Sequence, residues 1–218
     1  MHLPTVTLPK VWHVGTLDRA DKGAVAPSWE GSGLSVSLDP DAWIRIAKLG
    51  GQPIWTLTRE AGAFVDAHRI DGASRTALLD WGRRRGLVAD SGVFEVSWWD
   101  PEWHGQVAAL FADAADAAAE AAELGGQLRS TMRALATREL LTRTGQHADA
   151  PTDALELLLP VYTESATDLD GVWWDDLDDA DRLSAPRGVI ATRHVNRWTA
   201  TPAACSPTAC SPTDHRPS

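Results

Sequence analysis

Two short stretches of this 218-residue chain combine residue types and spacings that suit chemistry. The first is Trp12-His13-Val14-Gly15-Thr16, an imidazole followed by a glycine and a hydroxyl at the end of an apolar run. The second is Gly31-Ser32-Gly33-Leu34-Ser35-Val36-Ser37, where glycine, apolar residues and serine alternate. A strand that ends on His13, Gly15 and Thr16 aims a hydrogen-bonding ring and a hydroxyl into a cleft. Glycine at 31 and 33 lets a flat ring approach the backbone of the next strand. Together with Ser35, Ser37 and Trp43 these residues form a candidate nucleotide cleft, and the competing reading is a satisfied edge histidine beside an ordinary turn.

Further along, Arg187 stands between Pro186 and Gly188, just before an apolar strand. A rigid turn that presents a guanidinium suits a diphosphate or a carboxylate, although an ion pair with nearby aspartates accounts for it equally well. Glu164 follows the apolar run 155–162 and is the leading candidate for a fixed carboxylate, ahead of Glu156, Asp175 and Asp176. Eleven tryptophans are present, with Trp98-Trp99, Trp103 and Trp173-Trp174 clustered. Paired tryptophans stack rings or, more commonly, fill cores and rims. Asp168-Leu169-Asp170-Gly171 lacks the alternating ligands and final glutamate of a calcium loop, so a solvated acidic loop is expected. The histidines show no zinc spacing, no phosphate-binding Gly-Lys-Ser/Thr loop occurs, and no metal site is expected.

The elements that must position these groups follow from pattern. Residues 5–16 read as a strand broken near Pro9, and 33–38 alternate with the period of a half-buried strand. Asp39-Pro40 caps and opens a helix that ends at Gly50-Gly51. Strands are expected over 53–58, 64–67, 93–99 and 188–192, and a helix over 74–85 with Ser74 as its cap. The run Arg83-Arg84-Arg85 reads as the solvated end of that helix. Residues 155–162 fit a strand or a short helix. Residues 104–145 are rich in alanine and read as a helical hairpin broken at Gly125-Gly126. The sequence therefore divides into an α+β half over 1–103, a helical insertion over 104–146, a second α+β half over 147–200, and a Pro/Ser/Thr-rich tail over 201–218 that is expected to be disordered.

Bulk properties narrow the classes. A net charge of −10 argues against broad, non-specific nucleic-acid binding, which relies on cations to displace counterions. No run of 18 apolar residues occurs, so no membrane span is expected, and with no secretory pattern at the start a cytoplasmic protein is the expectation. Both cysteines, Cys205 and Cys210, lie in the tail, which excludes a core held by disulfides.

The motifs His13-Val14-Gly15-Thr16, Gly31-Ser32-Gly33-Leu34-Ser35-Val36-Ser37 and Asp39-Pro40-Asp41-Ala42 resemble the ADP-ribosyltransferase superfamily over residues 11–47. There a His-Gly-Thr strand precedes a Gly-X-Gly-aromatic-X-Ser strand and an alanine-containing helix. Here Val14 is inserted after the histidine, Leu34 or Ser35 takes the place of the tyrosine, and no late Glu-X-Glu occurs. The resemblance implies a split mixed or antiparallel sheet with flanking helices and NAD as substrate. It implies contacts to NAD from His13, Gly15, Thr16, Gly33, Ser35, Ser37, Trp43 and Arg187, with His13 on a ribose hydroxyl and Glu164 beside the developing oxocarbenium. It also implies transfer of ADP-ribose to a macromolecule, or glycohydrolysis, in the manner of a toxin or an effector of conflict between bacteria and phages. The alternative is a non-catalytic module that binds a protein partner through the 104–146 arm and a tryptophan-rich surface.

Overall fold

The computed structural model describes residues 2–17, 33–46, 49–101, 104–146, 150–174 and 187–203. The expected break near Pro9 is present, so the first run becomes two strands, β1 (Thr5–Thr7) and β2 (Lys10–Val14). The alternating segment forms β3 (Leu34–Ser37), and α1 (Pro40–Ile46) follows directly. Asp39 caps α1 by accepting the Ala42 amide at 2.9 Å, as its position before Pro40 suggests. Then come β4 (Ile54–Thr58), β5 (Ala63–Asp66) and α2 (Gly72–Arg84). The cap of α2 is Asp71, whose carboxylate accepts the Ser74 amide at 2.7 Å, and Ser74 itself lies inside the helix.

The alanine-rich region departs most from expectation. It is not a helical hairpin. It contains β7 (Gly105–Phe111), α3 (Ala114–Leu124), β8 (Gln127–Ala136) and the short α4 (Arg138–Arg143). Both strands pair antiparallel with a long β6 (Val88–Asp100), giving a three-stranded sheet ordered β7-β6-β8. Alanine favours a helix only where nothing better is on offer. Here β6 supplies a ladder on each side, and only the stretch between Asp113 and Gly125 stays helical. Asp113 accepts the Ala115 amide at 2.7 Å, and Gly125 closes the helix with φ +62°.

The chain then forms α5 (Ala154–Ala166), β9 (Gly171–Trp174), β10 (Arg187–Ile190), a 3-10 segment (Thr192–Arg197) and β11 (Thr199–Pro202). The choice between strand and helix for 155–162 resolves as helix. Strand β11 pairs with β4, so the first residues of the predicted tail belong to the fold, and residues 204–218 lie outside the described part.

The main sheet has eight strands in the order β1-β5-β9-β10-β3-β2-β4-β11. It is mixed, because β5 and β9 run parallel while the other pairs are antiparallel. The protein is thus α+β. Successive residues of a strand face opposite sides, and paired residues share a side. That rule separates two cores. On one side Val65, Val172, Trp174 and Val189 pack with Leu78, Trp81, Leu157, Leu158 and Tyr162 from α2 and α5. On the other, Val11, Leu34, Val36, Leu57, Phe64, Trp173 and Ile190 pack with Val195 and Trp198.

Candidate functional site

Strands β2 and β3 are neighbours and run antiparallel, with Trp12 opposite Ser37. The imidazole of His13 reaches across this seam. Its Nδ1–H donates to the Ser35 carbonyl at 2.8 Å, which fixes the tautomer and leaves Nε2 as the acceptor. That Nε2 is buried and makes no hydrogen bond. Burial holds the imidazole below its ordinary pKa, against backbone groups of Ser35 and Thr16 that favour the charged form. The ring is therefore neutral, with Nε2 buried beside the Gly15 turn.

Gly15 follows with φ +132°, a conformation that calls for glycine. Its carbonyl accepts the Trp55 indole N–H at 3.0 Å, and its amide donates to the Pro53 carbonyl at 2.9 Å. A Cβ at this position would stand 3.4 Å from His13 Nε2. The turn is thus locked from below and left bare beside the ring. Thr16 is exposed next to it, and α1, which carries the half-buried Trp43, packs against β2.

The serines do not join the imidazole. The pairing of Trp12 with Ser37 puts Trp12, Ser35 and Ser37 on the face of the α2–α5 core. His13 leaves on the opposite face with Leu34 and Val36. What connects the two faces is the Ser35 backbone carbonyl. Ser37 is fully buried and its hydroxyl accepts the Asp39 amide at 3.0 Å, so it supports the start of α1. Arg187 is paired with Ser37 on one side and with Trp174 on the other, and its guanidinium lies 5.1 Å from the Trp174 ring centroid. These groups make a row across the sheet on the face away from His13.

Gly33 serves packing. A Cβ there would fall 2.3 Å from Val189 Cγ2 and 2.4 Å from the Ile190 carbonyl oxygen, so the glycine admits β10 and not a ligand ring. Glu164 lies within α5, not at a strand end. Together with Gly33, Thr163 and Thr192 it lines a cavity of about 10 Å³. That space suits a single water. Thr163 is fully buried and its hydroxyl lacks a hydrogen-bond partner, which matches such a water. Glu156 is exposed near the start of α5, and Asp175 and Asp176 lie outside the described residues, as does Trp103.

Two charged clusters escaped the sequence analysis because each needs the strand register. Glu95, 4% exposed, is ion-paired to Arg129 and Arg133 of β8. Burial alone would raise its pKa, but the two guanidinium groups outweigh this and hold the carboxyl below its usual range. Asp170 is 1% exposed and pairs with Arg59, while its other oxygen accepts the Ala63 amide at 2.9 Å. The stretch expected to be a solvated acidic loop thus contributes a buried structural carboxylate. His194 stands 3.7 Å from Asp170, and burial followed by the charges of Arg197 and Arg193 pushes its pKa down. Arg83 ends α2 in bonds to Asp80 and Asp90, and Arg85 covers the Trp81 ring, as a basic helix end should.

Among the described residues no group of three or more His, Cys, Asp or Glu is placed to hold a metal ion. No helix among the described residues is long and apolar enough to cross a membrane. No family model, curated protein or solved structure matches the chain.

Proposed function

We propose that the chain engages NAD through His13 and breaks its nicotinamide–ribose bond, as an enzyme of the ADP-ribosyltransferase kind. The observation that carries this reading is the buried, unpartnered Nε2 of a neutral imidazole. A buried acceptor left without a donor costs about 1–3 kcal/mol, so a fold that keeps one gains from a hydroxyl that arrives to fill it. A ribose hydroxyl is such a donor. The bare Gly15 turn and the exposed Thr16 hydroxyl flank the same ring and suit a sugar edge. The His13 strand lies beside the Leu34–Ser37 strand, so the two segments that carry the resemblance are neighbours.

In the reaction the bond between C1′ and the nicotinamide nitrogen breaks. Its electron pair leaves with nicotinamide, and water or a nucleophile of the target donates a pair to C1′. His13 holds the ribose while positive charge develops on it, and a neutral imidazole does so without opposing that charge. Glu164, Ser37 and Arg187 have no part in this scheme, because they belong to the opposite side of the sheet. The test is release of free nicotinamide from NAD by the full chain, resolved by chromatography. His13→Ala should reduce release tenfold or more. No release by the wild type, or unaltered release by the variant, defeats the assignment.

A second reading has its own observation. Met132 is 67% exposed and Leu128 43% exposed on one face of β8, and large apolar side chains that share a face suit a protein partner. In that case the chain is a non-catalytic binding module, and calorimetry with NAD is silent.

A further inference from the structure

A groove of about 440 Å³ opens where β4 ends, lined by Pro9, Thr58, Arg59, Glu60, Arg197 and Thr199. It is wide open to solvent. The groove brings two guanidinium groups together in a chain whose net charge is −10. Arg59 is held in place from behind, since its Nη1 pairs with Asp170, itself buried and anchored by the Ala63 amide. Arg197 is exposed at the end of the 3-10 segment and has no ion-pair partner among the described residues. The two are close enough that Arg197, after burial, lowers the pKa of Arg59. Asp170 matches the Arg59 charge from behind, so the charge left for an anion to match is that of Arg197.

The hydroxyls of the groove are also set by register. Thr58 lies directly opposite Thr199 across β4 and β11, and Lys10 lies opposite Thr58 on the other side. Paired residues share a face, so the two threonines stand side by side in the groove, while the Lys10 ammonium lies over the Trp12 ring, 4.7 Å from its centroid. We propose that this groove binds a phosphoryl dianion. Arg59 and Arg197 supply the planar forks that match its oxygens, and Thr58 and Thr199 supply further donors. A phosphoryl dianion brings three oxygens and two charges to these donors, where a carboxylate brings two oxygens and one charge.

The groove is separate from His13. Three residues of β2, Lys10, Val11 and Trp12, lie between Pro9 and His13, a span of about 13 Å at strand rise, and Val11 and Leu57, at 0% and 1% exposure, fill the core between. The proposal therefore stands whether or not the chain acts on NAD.

The full chain, uniformly labelled with 15N, is titrated with glycerol 2-phosphate at low ionic strength. Amide shifts are expected at Thr58, Arg59, Arg197 and Thr199, with acetate at matched ionic strength leaving them in place. Arg197→Gln should weaken binding about tenfold, and Glu60→Gln, which removes the acid in the wall, should tighten it; both side chains are exposed, so folding is not at stake. Shifts scattered over all surface cations, an equal response to acetate, or an unweakened Arg197→Gln variant would each overturn the proposal.

Discussion

Replacing Gly171 by alanine probes the centre of the main sheet. Gly171 opens β9 between β5 and β10, opposite Phe64 on one side and Ile190 on the other. An added Cβ would sit 1.8 Å from the Val189 carbonyl oxygen, 2.8 Å from its carbonyl carbon and 3.0 Å from Ile190 Cα. All three are backbone atoms of a neighbouring strand, which no rotamer change can move. Carbon and oxygen normally stay about 3.3 Å apart, so β9 and β10 would have to part by roughly 1.5 Å. Overpacking alone costs about 1–3 kcal/mol, and each ladder hydrogen bond opened adds about 1 kcal/mol. A loss near 4 kcal/mol follows, or a fall in Tm of about 8–16 °C for a chain of this size. The assay is urea and thermal unfolding followed by circular dichroism and tryptophan fluorescence. Gly72→Ala is the control. Its Cβ meets nothing within 4 Å at the first residue of α2, so stability should hold or rise by about 0.5 kcal/mol. A Gly171→Ala variant within about 1 kcal/mol of wild type would refute the β5-β9-β10 register.

Glu95→Gln should cost about 2–3 kcal/mol near neutral pH, since it leaves Arg133 and Arg129 without their buried partner. The folded Glu95 carboxyl titrates below its unfolded value, so its contribution is present above about pH 4.3 and is lost as pH falls through the folded value. Urea midpoints of wild type and variant should accordingly converge in acid. Asp113→Ala removes the cap of α3 and should cost about 1 kcal/mol, with a small loss of helical signal; no change would show that α3 does not begin at Asp113.

Local chemistry was legible in the sequence and pairing was not. Asp39-Pro40 marked the start of α1, and the alternation of Leu34 and Val36 with Ser35 and Ser37 marked β3, because caps and period two act within a few residues. The same alternation separated the serines from the apolar face, but placing His13 with Leu34 and Val36 required the pairing of Trp12 with Ser37. Alanine misled over 104–145 since β7 and β8 are strands only by virtue of β6, an element outside that window. Glu95 meets Arg133 across 38 residues, and Arg59 meets Asp170 across 111. No spacing rule joins groups so distant.

Ring-nitrogen NMR of 15N-histidine-labelled protein addresses the state and the reach of His13 together. At pH 7.5 the imidazole should be neutral with its proton on Nδ1, and addition of NAD should move the Nε2 resonance as that atom accepts a hydroxyl. A ring that carries its proton on Nε2, or an Nε2 resonance that ignores saturating NAD, would contradict the account.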